Sequence, residues 1–396
     1  MSIPYIKRGI EKTVKNAAQQ FPSVILTGPR QSGKTTLLKH LFSKSHRYVS
    51  MDNPELRLMA IDEPALFFEN YPPPLIIDEI QYTPQIFSYI KIFIDNDRSK
   101  KGHFLLTGSQ SFPLMANVSE SLAGRIAVLS LLSFSFKEQF PQKSTFDMLL
   151  LQKKILQGGF PEIVTLEDIN NELWFASYFQ TYLERDVRQL RRIGDLGDFQ
   201  RFVQLLATFN GQNVNLSSLS RDIGLTVNTI KAWISILEAS QQIVSIKPFY
   251  LNQGKRIIKS PKIYFLDTGL LCYLTGITSP TQVFKGPSSG QLFETAVLGE
   301  IIRDFYNQGK IPRIYWWRTS HGEEVDFIIE DKARIIPIEV KLTSKVNKIM
   351  AKNLISFYNL FPNKIDKALV VNLSQEGFVL DKGIFSIPFY EFIYQI

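Results

Sequence analysis

The sequence contains very little cysteine and histidine. Its 396 residues include one cysteine, Cys272, and four scattered histidines. A single cysteine excludes a disulfide within the chain and a four-cysteine zinc site, and the histidine spacing matches no metal motif. Low-complexity tracts, fixed-period repeats and long flexible linkers are also missing. These absences, with the length, predict an ordinary globular chain of two or three domains.

Long apolar runs are absent as well. The longest, around residues 126–136, contains serines and is too short to cross a bilayer, and the charged N-terminus does not resemble a signal peptide. We therefore expect a cytoplasmic protein that has no membrane partner. The net charge of +8 permits a polyanionic partner, although many basic proteins merely have a well-solvated surface.

Short apolar runs alternate with helical patterns in the first 150 residues. This order predicts an α/β fold with an open, mostly parallel sheet. Residues 151–285 are mainly helical, and residues 286–396 return to mixed α/β. We therefore predict three domains, 1–150, 151–285 and 286–396. The strands predicted for the first domain are 24–27, 46–51, 75–77, 103–106 and 126–132.

The strongest motif fits G-x-x-x-x-G-K-[ST] at every position and lies between an apolar strand and a helix. Such a loop wraps backbone N–H groups around phosphates, and the helix dipole favours the same anion. Lys34 should reach the β- and γ-phosphates of ATP, and the Thr35 hydroxyl should bind Mg²⁺. The predicted nucleotide-binding residues are Gly28, Pro29, Arg30, Gln31, Ser32, Gly33, Lys34, Thr35 and Thr36.

A second motif places Asp78 and Glu79 directly after the apolar run 75–77. In a parallel sheet, these acids lie at the carboxyl edge beside the phosphate loop. Asp78 is then positioned for Mg²⁺, and Glu79 can polarise the attacking water. An isolated acid pair at a strand end is common, but one about 45 residues after a phosphate loop indicates ATP hydrolysis.

Two further segments add candidate residues. Thr107, Ser109 and Gln110 follow a strand predicted to lie between the two nucleotide motifs, where a polar side chain could hold the attacking water or sense the γ-phosphate. A polar turn explains any one of them equally well. Arg125 could stabilise γ-phosphate charge, within the chain or across the interface of a homo-oligomer, or it could simply pair with a nearby acid.

Several of these segments resemble the AAA-type P-loop ATPases of bacteria and archaea that carry a C-terminal DUF4143 domain. The resemblance covers nearly the whole chain. It implies an AAA-like ATPase core, a winged-helix middle domain and a restriction-endonuclease-like C-terminal domain. The segments that carry it are 28–35, 77–81, 106–110, 121–125, 184–186, 292–294, 324–327 and 338–341.

Residues 216–238 have the pattern of a helix-turn-helix. Gly224 and Leu225 form the turn, and Thr226 is the expected N-cap of the second helix. Asn228, Thr229 and Lys231 would then face outward as readers of double-stranded DNA. Segments 243–250 and 256–265 can pair as a wing with a basic tip, flanked by Lys247, Lys259 and Lys262. Docking of another protein is the alternative, and Trp233 is expected to pack in the core.

The C-terminal part contains acids and a lysine in a spacing typical of restriction-like nucleases. Asp326 lies on one predicted strand, Glu339 and Lys341 share one face of the next, and Glu294 lies on a preceding helix. The carboxylates would bind a second Mg²⁺, and Lys341 would orient the attacking water. Simple ion pairing of Lys341 explains the same pattern without cleavage.

These patterns leave three functions open. The first is a DNA-associated ATPase that uses ATP and Mg²⁺. The second is a regulatory ATPase whose later domains dock proteins, and the third is a nuclease gated by ATP.

Overall fold

The computed structural model describes residues 4–109, 118, 120–140, 147–166, 168–182, 196–250, 260–331 and 334–395. By its internal contacts the chain divides into two compact units. One unit comprises Met1–Phe134, Ala239–Gln241 and Arg303–Ile311, and the other comprises Ser135–Glu238, Gln242–Ile302 and Pro312–Ile396. The predicted segments 151–285 and 286–396 therefore lie mainly in one compact unit.

The first unit is built on a five-stranded sheet in the order β2-β3-β4-β1-β5, and all its strands are parallel. This confirms the predicted parallel sheet, and it places β4 between β1 and β3, as expected. The strands are β1 Ser23–Gly28, β2 Arg47–Ser50, β3 Leu75–Asp78, β4 Phe104–Ser109 and β5 Ile126–Ser130.

Both faces of this sheet are covered, which explains why its central strands are apolar without alternation. Ile25 and Leu106 belong to the core on one face, whereas Leu26 and Leu105 belong to the core on the other. A short 3₁₀ turn, Ile80–Tyr82, follows β3. The helices of the unit are α1 Glu11–Gln20, α2 Lys34–Phe42, α3 Pro54–Asp62, α4 Pro64–Asn70 and α5 Ile86–Asn96.

The second unit begins with a series of helices. The predicted helix 171–192 is described as far as Tyr182, and the motif 184–186 lies outside the described residues. The helices before the sheet are α6 Phe136–Gln139, α7 Met148–Gln157, α8 Pro161–Thr165, α9 Asn171–Tyr182, α10 Leu196–Thr208, α11 Leu216–Ile223 and α12 Val227–Ala239.

Helices α11 and α12 form the predicted helix-turn-helix. Gly224 ends α11 in a left-handed conformation at φ 80°. The Thr226 hydroxyl accepts a hydrogen bond from the Thr229 backbone N–H at 3.1 Å, so Thr226 caps α12 as predicted. Trp233 is buried against Phe199 and Phe202, which confirms its packing role.

The predicted wing hairpin forms, but it belongs to a larger sheet. Its strands β6 and β7 pair antiparallel, and β6 also pairs parallel with β8. β6 uses its other edge for the C-terminal sheet, so the hairpin is confirmed and the winged-helix domain stays a prediction. The hairpin tip and Lys259 lie outside the described residues. Lys262 is buried and bound to Glu324, so its ammonium is not an exposed DNA contact.

The complete sheet has eight strands in the order β12-β13-β11-β10-β9-β8-β6-β7. Its strands are β6 Ile243–Pro248, β7 Lys262–Phe265, β8 Ile314–Arg318, β9 Glu324–Asp331, β10 Arg334–Val340, β11 Ala368–Asn372, β12 Phe378–Asp381 and β13 Ile384–Pro388. The remaining helices are α13 Thr268–Leu274, α14 Pro280–Lys285, α15 Ser289–Asn307, α16 Lys352–Leu360 and α17 Phe389–Gln395, with a 3₁₀ turn at Lys348–Ala351.

Candidate nucleotide and acidic sites

The phosphate-binding loop, residues 28–35, connects β1 to α2 at the carboxyl edge of the first sheet. Gln31 and Gly33 adopt positive φ angles of 59° and 91°. Left-handed residues within a tight loop turn successive backbone N–H groups inward and create an anion-binding concavity. Lys34 begins α2, so the positive end of the helix dipole faces the same space.

Gly28 is required by both its conformation and its surroundings. Its φ is 153°, and a Cβ atom there would lie 2.1 Å from the Leu131 carbonyl oxygen. No side chain fits at that distance from a backbone atom. The loop can therefore leave β1 in this direction only with glycine.

Lys34, within the loop, and Arg8, outside it, both donate hydrogen bonds to carbonyls of the loop. Lys34 Nζ donates to the carbonyls of Gly28 and Pro29 at 3.0 and 2.8 Å, which keeps the ammonium at the loop. The buried Arg8 side chain donates to the Ser32 carbonyl at 2.9 Å and to the Leu132 carbonyl at 2.7 Å. Ser32 Oγ is buried and has no hydrogen-bond partner in the described part of the chain, so it is available to a ligand.

Three hydroxyl groups surround the Asp78 carboxylate. Thr35 donates to Oδ1 at 2.8 Å, Thr107 donates to the same oxygen, and Tyr48 donates to Oδ2 at 2.8 Å. Burial, together with the hydrogen bond to Asp78 and its charge, raises the pKa of Tyr48 to about 12. The Tyr48 hydroxyl therefore keeps its proton at neutral pH and acts as a donor.

Glu79 has an unusual backbone for a residue with a side chain. Its φ and ψ are 55° and 45°, in the left-handed region. Such a conformation costs roughly 1–3 kcal/mol and is concentrated at functional sites. The Glu79 N–H donates to Thr107 Oγ1 at 3.3 Å, and its carboxylate accepts from the Gln81 amide. The strained turn directs the chain away from β3 immediately after Asp78.

The end of β4 supplies the remaining polar groups. Thr107 is buried and already bound to Asp78. Ser109 pairs in register with Gly28, and its buried Oγ has no hydrogen-bond partner among the residues that the structure describes. Ser109 is therefore the better placed of the two to meet a phosphate or a water. Gln110 lies outside the described residues, and Thr36 is exposed on α2.

Arg125 lies away from the other predicted catalytic residues. Its backbone carbonyl accepts from Ser23 at the start of β1, whereas the loop begins at the end of β1, roughly 17 Å further along the strand at 3.3 Å per residue. Its guanidinium pairs with both oxygens of Asp95 at 2.9 Å and lowers the pKa of that carboxyl to about 2. The structure thus gives no support to a catalytic role for Arg125 within the chain, and a role across an oligomer interface stays a prediction.

The residues around Asp78 suit a magnesium ion. Hydroxyl and carboxylate oxygens are its preferred protein ligands, and Thr35 and Asp78 present both 2.8 Å apart beside the loop. Thr35 and Asp78 are the two residues that the sequence predicts to bind this Mg²⁺. They already lie side by side, as binding of one ion requires.

The acidic cluster of the second unit consists of Glu294, Asp326, Glu339 and Lys341. The carboxylate of Asp326 accepts from the Val340 N–H at 2.8 Å, joining β9 to β10. Lys341 Nζ donates to Glu339 Oε1 at 2.6 Å, whereas the buried Glu339 Oε2 has no hydrogen-bond partner within the described ranges. Tyr264 donates to Glu294 at 3.2 Å. Asp326 and Lys341 also lie close enough to Glu294 and Glu339 for their charges to interact, so the structure brings together the four side chains predicted to form this site.

The electrostatics of the cluster favour protonated acids. Burial, and then the charge of Asp326, raises the pKa of Glu294 and that of Glu339 to about 8. Burial also raises the pKa of Asp326. For Lys341, burial lowers the pKa, but the charge of Glu339 and its hydrogen bond outweigh this, so the pKa lies above its ordinary value.

The cluster is not a preformed metal site. Among the described residues, no group of three histidine, cysteine, aspartate or glutamate side chains is spaced to hold a metal ion. A second Mg²⁺ site at Glu294, Asp326 and Glu339 therefore stays a prediction, because these carboxylates do not form a ready ligand set in this structure. The physical reason is that each carboxylate is drawn to a protein donor: Glu294 to Tyr264, Asp326 to Val340 and Glu339 to Lys341.

Two residues at the nucleotide site were not identified from the sequence. Arg8 is 20 residues before the motif and Tyr48 is on β2. Neither belongs to a local pattern, because each reaches the site through the tertiary fold. The only signal available was their position near the first motif, which alone indicates nothing about contact.

The fold and the site together define a P-loop nucleotide-binding domain. Comparison with family models agrees, because the AAA domain model matches residues 20–140. A model described as a domain of unknown function, DUF4143, matches residues 289–392. Residues 20–140 are thus similar to the AAA domain and residues 289–392 to DUF4143, which confirms the resemblance over these two ranges. A further domain of unknown function, DUF8612, matches residues 148–281 and was not expected.

Relatives extend over most of the chain. An uncharacterized protein of Mycobacterium tuberculosis is 29% identical over 387 residues, which are 96% of this chain and 83% of that protein. Another, of Methanocaldococcus jannaschii, is 24% identical over 359 residues, which are 83% of this chain and 77% of that protein. A solved Walker-type ATPase of Pyrococcus abyssi aligns with a TM-score of 0.45 and 15% identity, covering 68% of this chain and 96% of that chain.

The helices were also compared with membrane spans. In the described part of the chain, no helix is both long enough and apolar enough to cross a bilayer.

Proposed function

We propose that the chain binds ATP with Mg²⁺ and hydrolyses it at the carboxyl edge of the first sheet. The observation that carries this proposal is the contact between Thr35 and Asp78, which joins the phosphate loop to the end of β3 at 2.8 Å. A loop for phosphates and a carboxylate for the metal are thereby combined in one site, as phosphoryl transfer requires. The match to the AAA domain model supports the same reaction.

Each residue of the site has a separate proposed role. Backbone N–H groups of residues 28–35 would bind the phosphates, and Lys34 would turn from the loop carbonyls toward the γ-phosphate. Thr35 and Asp78 would hold Mg²⁺, which when bound neutralises charge on the phosphates. Glu79 would accept a proton from the attacking water, and Ser109 would contact the γ-phosphate or that water.

A Glu79→Gln variant tests the proposal. Because the amide cannot accept a proton from water, we expect the rate of ATP hydrolysis to fall by about 10²–10⁴-fold. Nucleotide binding should persist, since the loop, Thr35 and Asp78 are unchanged. The measurements are phosphate release under single turnover and the dissociation constant of a fluorescent ATP analogue.

Glu69→Gln provides the matched control, because it removes an exposed carboxylate from the same unit. It should hydrolyse ATP at the wild-type rate. Wild-type hydrolysis in Glu79→Gln would remove Glu79 from the mechanism, and a wild-type protein that binds no nucleotide would overturn the whole proposal.

We also propose that double-stranded DNA is a partner of this ATPase. The support is the helix-turn-helix, in which Asn228 and Lys231 are exposed on α12. Thr229 differs from expectation, because it is partly buried and its hydroxyl pairs with that of Thr226 at 2.8 Å. Duplex binding that weakens steeply with salt separates this proposal from protein docking, which predicts no such binding.

The ATP-gated nuclease is a third proposal, and it depends on the acidic cluster. Its support is the contact of Lys341 with Glu339 and the second Glu339 oxygen, to which no described residue donates a hydrogen bond. Cleavage would require the three carboxylates to turn toward a cation. A nicking assay with Mg²⁺ or Mn²⁺, under conditions in which ATP is hydrolysed, decides it, because an uncut duplex there removes the nuclease.

A further inference from the structure

Tyr48 is the one hydroxyl donor to Asp78, among the described residues, that lies outside the nucleotide motifs. It is on β2, which pairs in parallel with β3 and places Tyr48 beside Ile76. Its hydroxyl donates to Asp78 Oδ2 at 2.8 Å, and Lys39 Nζ lies 3.5 Å from the centre of its ring. The ring is thus held between a lysine of α2 and the acid of β3.

The two oxygens of Asp78 are held by different donors. Oδ1 accepts from both Thr35 and Thr107, whereas Oδ2 accepts from Tyr48, the only donor to it in the part of the chain that the structure describes. A carboxylate turns easily about its last bond, because that torsion is broad. With Thr107 on Oδ1, a donor at Oδ2 therefore holds the plane of the carboxylate at both oxygens when the Thr35 hydroxyl turns toward another ligand.

We propose that Tyr48 is a positioning residue for metal-dependent nucleotide binding, and that its hydroxyl orients the Asp78 carboxylate toward Thr35. This inference rests on the proposed function, since it assigns a role within the same site. The Tyr48 hydroxyl donates to Asp78 and not to the phosphate loop or to Glu79. Its effect should therefore reach the nucleotide only through Asp78 and the ion.

The test is a Tyr48→Phe variant of the full chain. Phenylalanine keeps the ring under Lys39 and removes only the hydroxyl. The dissociation constant of a fluorescent ATP analogue is measured over a range of Mg²⁺ concentrations and again in EDTA. Hydrogen bonds to charged groups are strong enough that we expect the half-saturating Mg²⁺ concentration to rise about tenfold. The affinity in EDTA should stay within about twofold of the wild type.

Tyr71→Phe is the matched control. It removes a tyrosine hydroxyl from the same unit, where the Tyr71 ring stacks on Phe67 and lies under Arg47. We expect no change in Mg²⁺ dependence for this variant. Thermal unfolding of each variant reports whether the first unit is intact.

The outcomes distinguish the positioning role of Tyr48 from the ATPase proposal on which it rests. Wild-type Mg²⁺ dependence in Tyr48→Phe, or an equal loss of affinity with Mg²⁺ and in EDTA, overturns the positioning role and leaves the ATPase proposal standing. A wild-type protein that binds nucleotide equally well with and without Mg²⁺ overturns the positioning role, and one that binds no nucleotide overturns both proposals. A selective rise in the Mg²⁺ requirement supports the role of Tyr48.

Discussion

The hydrogen bonds of the Asp78 carboxylate show which contacts of the site can be predicted from the sequence and which cannot. Thr35 follows from the loop motif, and Thr107 was one of three candidates at the end of β4. Tyr48 could not be predicted, because its contact depends on the register of β2 against β3 and on the direction of its ring. Arg125 fitted a catalytic pattern, but it lies beside the start of β1, at the opposite end of the strand from the phosphate loop. Its partner there is Asp95.

At the same scale, Gly28 gives a strict prediction. A Gly28→Ala substitution places Cβ 2.1 Å from the Leu131 carbonyl, so the loop must move. We expect the free energy of unfolding to fall by about 2–4 kcal/mol, a size typical of a severe backbone conflict. Binding of a fluorescent ATP analogue should be lost even at temperatures where circular dichroism shows a folded chain.

Gly124→Ala is the control for the backbone conformation alone. Gly124 also has a positive φ, 73°, but no described atom lies within 4 Å of the position that a Cβ atom would take there. The strain should cost only about 1–2 kcal/mol, and nucleotide binding should be retained. Equal nucleotide affinity in Gly28→Ala and the wild type would show that the loop tolerates a side chain at this position.

At the scale of elements, local signals predicted most helices and strands, and long-range pairing was invisible. The apolar run 75–77 and the α11–α12 turn at Gly224 were predictable because each is fixed within a few residues. The pairing of β6 with β8 joins segments about 65 residues apart, and neither strand carries a signal for it. The pairing of β6 with β7 was therefore predictable from the sequence, whereas their place in the larger sheet was not.

The acidic cluster on α15, β9 and β10 also predicts how the stability of the protein depends on pH. Burial raises the pKa of Glu294 and of Glu339 to about 8, above the ordinary value of 4.5. The folded state therefore holds protons that the unfolded state has released between these pH values. The stabilisation is complete below about pH 4.5 and is lost as the pH rises through 8, so the free energy of unfolding should fall over this window.

Chemical unfolding of Glu339→Gln from pH 5 to 8 checks this. The variant should resemble the wild type near pH 5 and be more stable than the wild type at pH 8. Glu376→Gln, at an exposed site, should follow the wild-type profile throughout. Parallel profiles for Glu339→Gln and the wild type would refute the raised pKa. If Mg²⁺ stabilises only the wild type at pH 8, the cluster binds the cation through Glu339.

For the whole molecule, the net charge and the exposure of individual lysines bear on whether DNA is a partner. A charge of +8 is compatible with DNA, but it is a property of composition and does not locate a surface. The structure removes Lys262 from the candidate contacts, because it is buried against Glu324. Lys231 and Lys247 are exposed on α12 and β6, so they are the described lysines among the predicted DNA contacts that can still meet phosphate.

The DNA proposal therefore predicts a coupled activity. Duplex DNA should raise the rate of ATP hydrolysis at low salt, and the increase should shrink as salt rises, because counterion release weakens each phosphate contact. Lys231→Glu should reduce the increase without changing the rate measured in the absence of DNA, since Lys231 is not part of the nucleotide site. Lys382→Glu, at a turn between β12 and β13, serves as a control for charge alone. A hydrolysis rate that responds to no duplex at any salt concentration would instead favour docking of a protein partner by the helix-turn-helix, because a packed α12 with an exposed polar face suits either role.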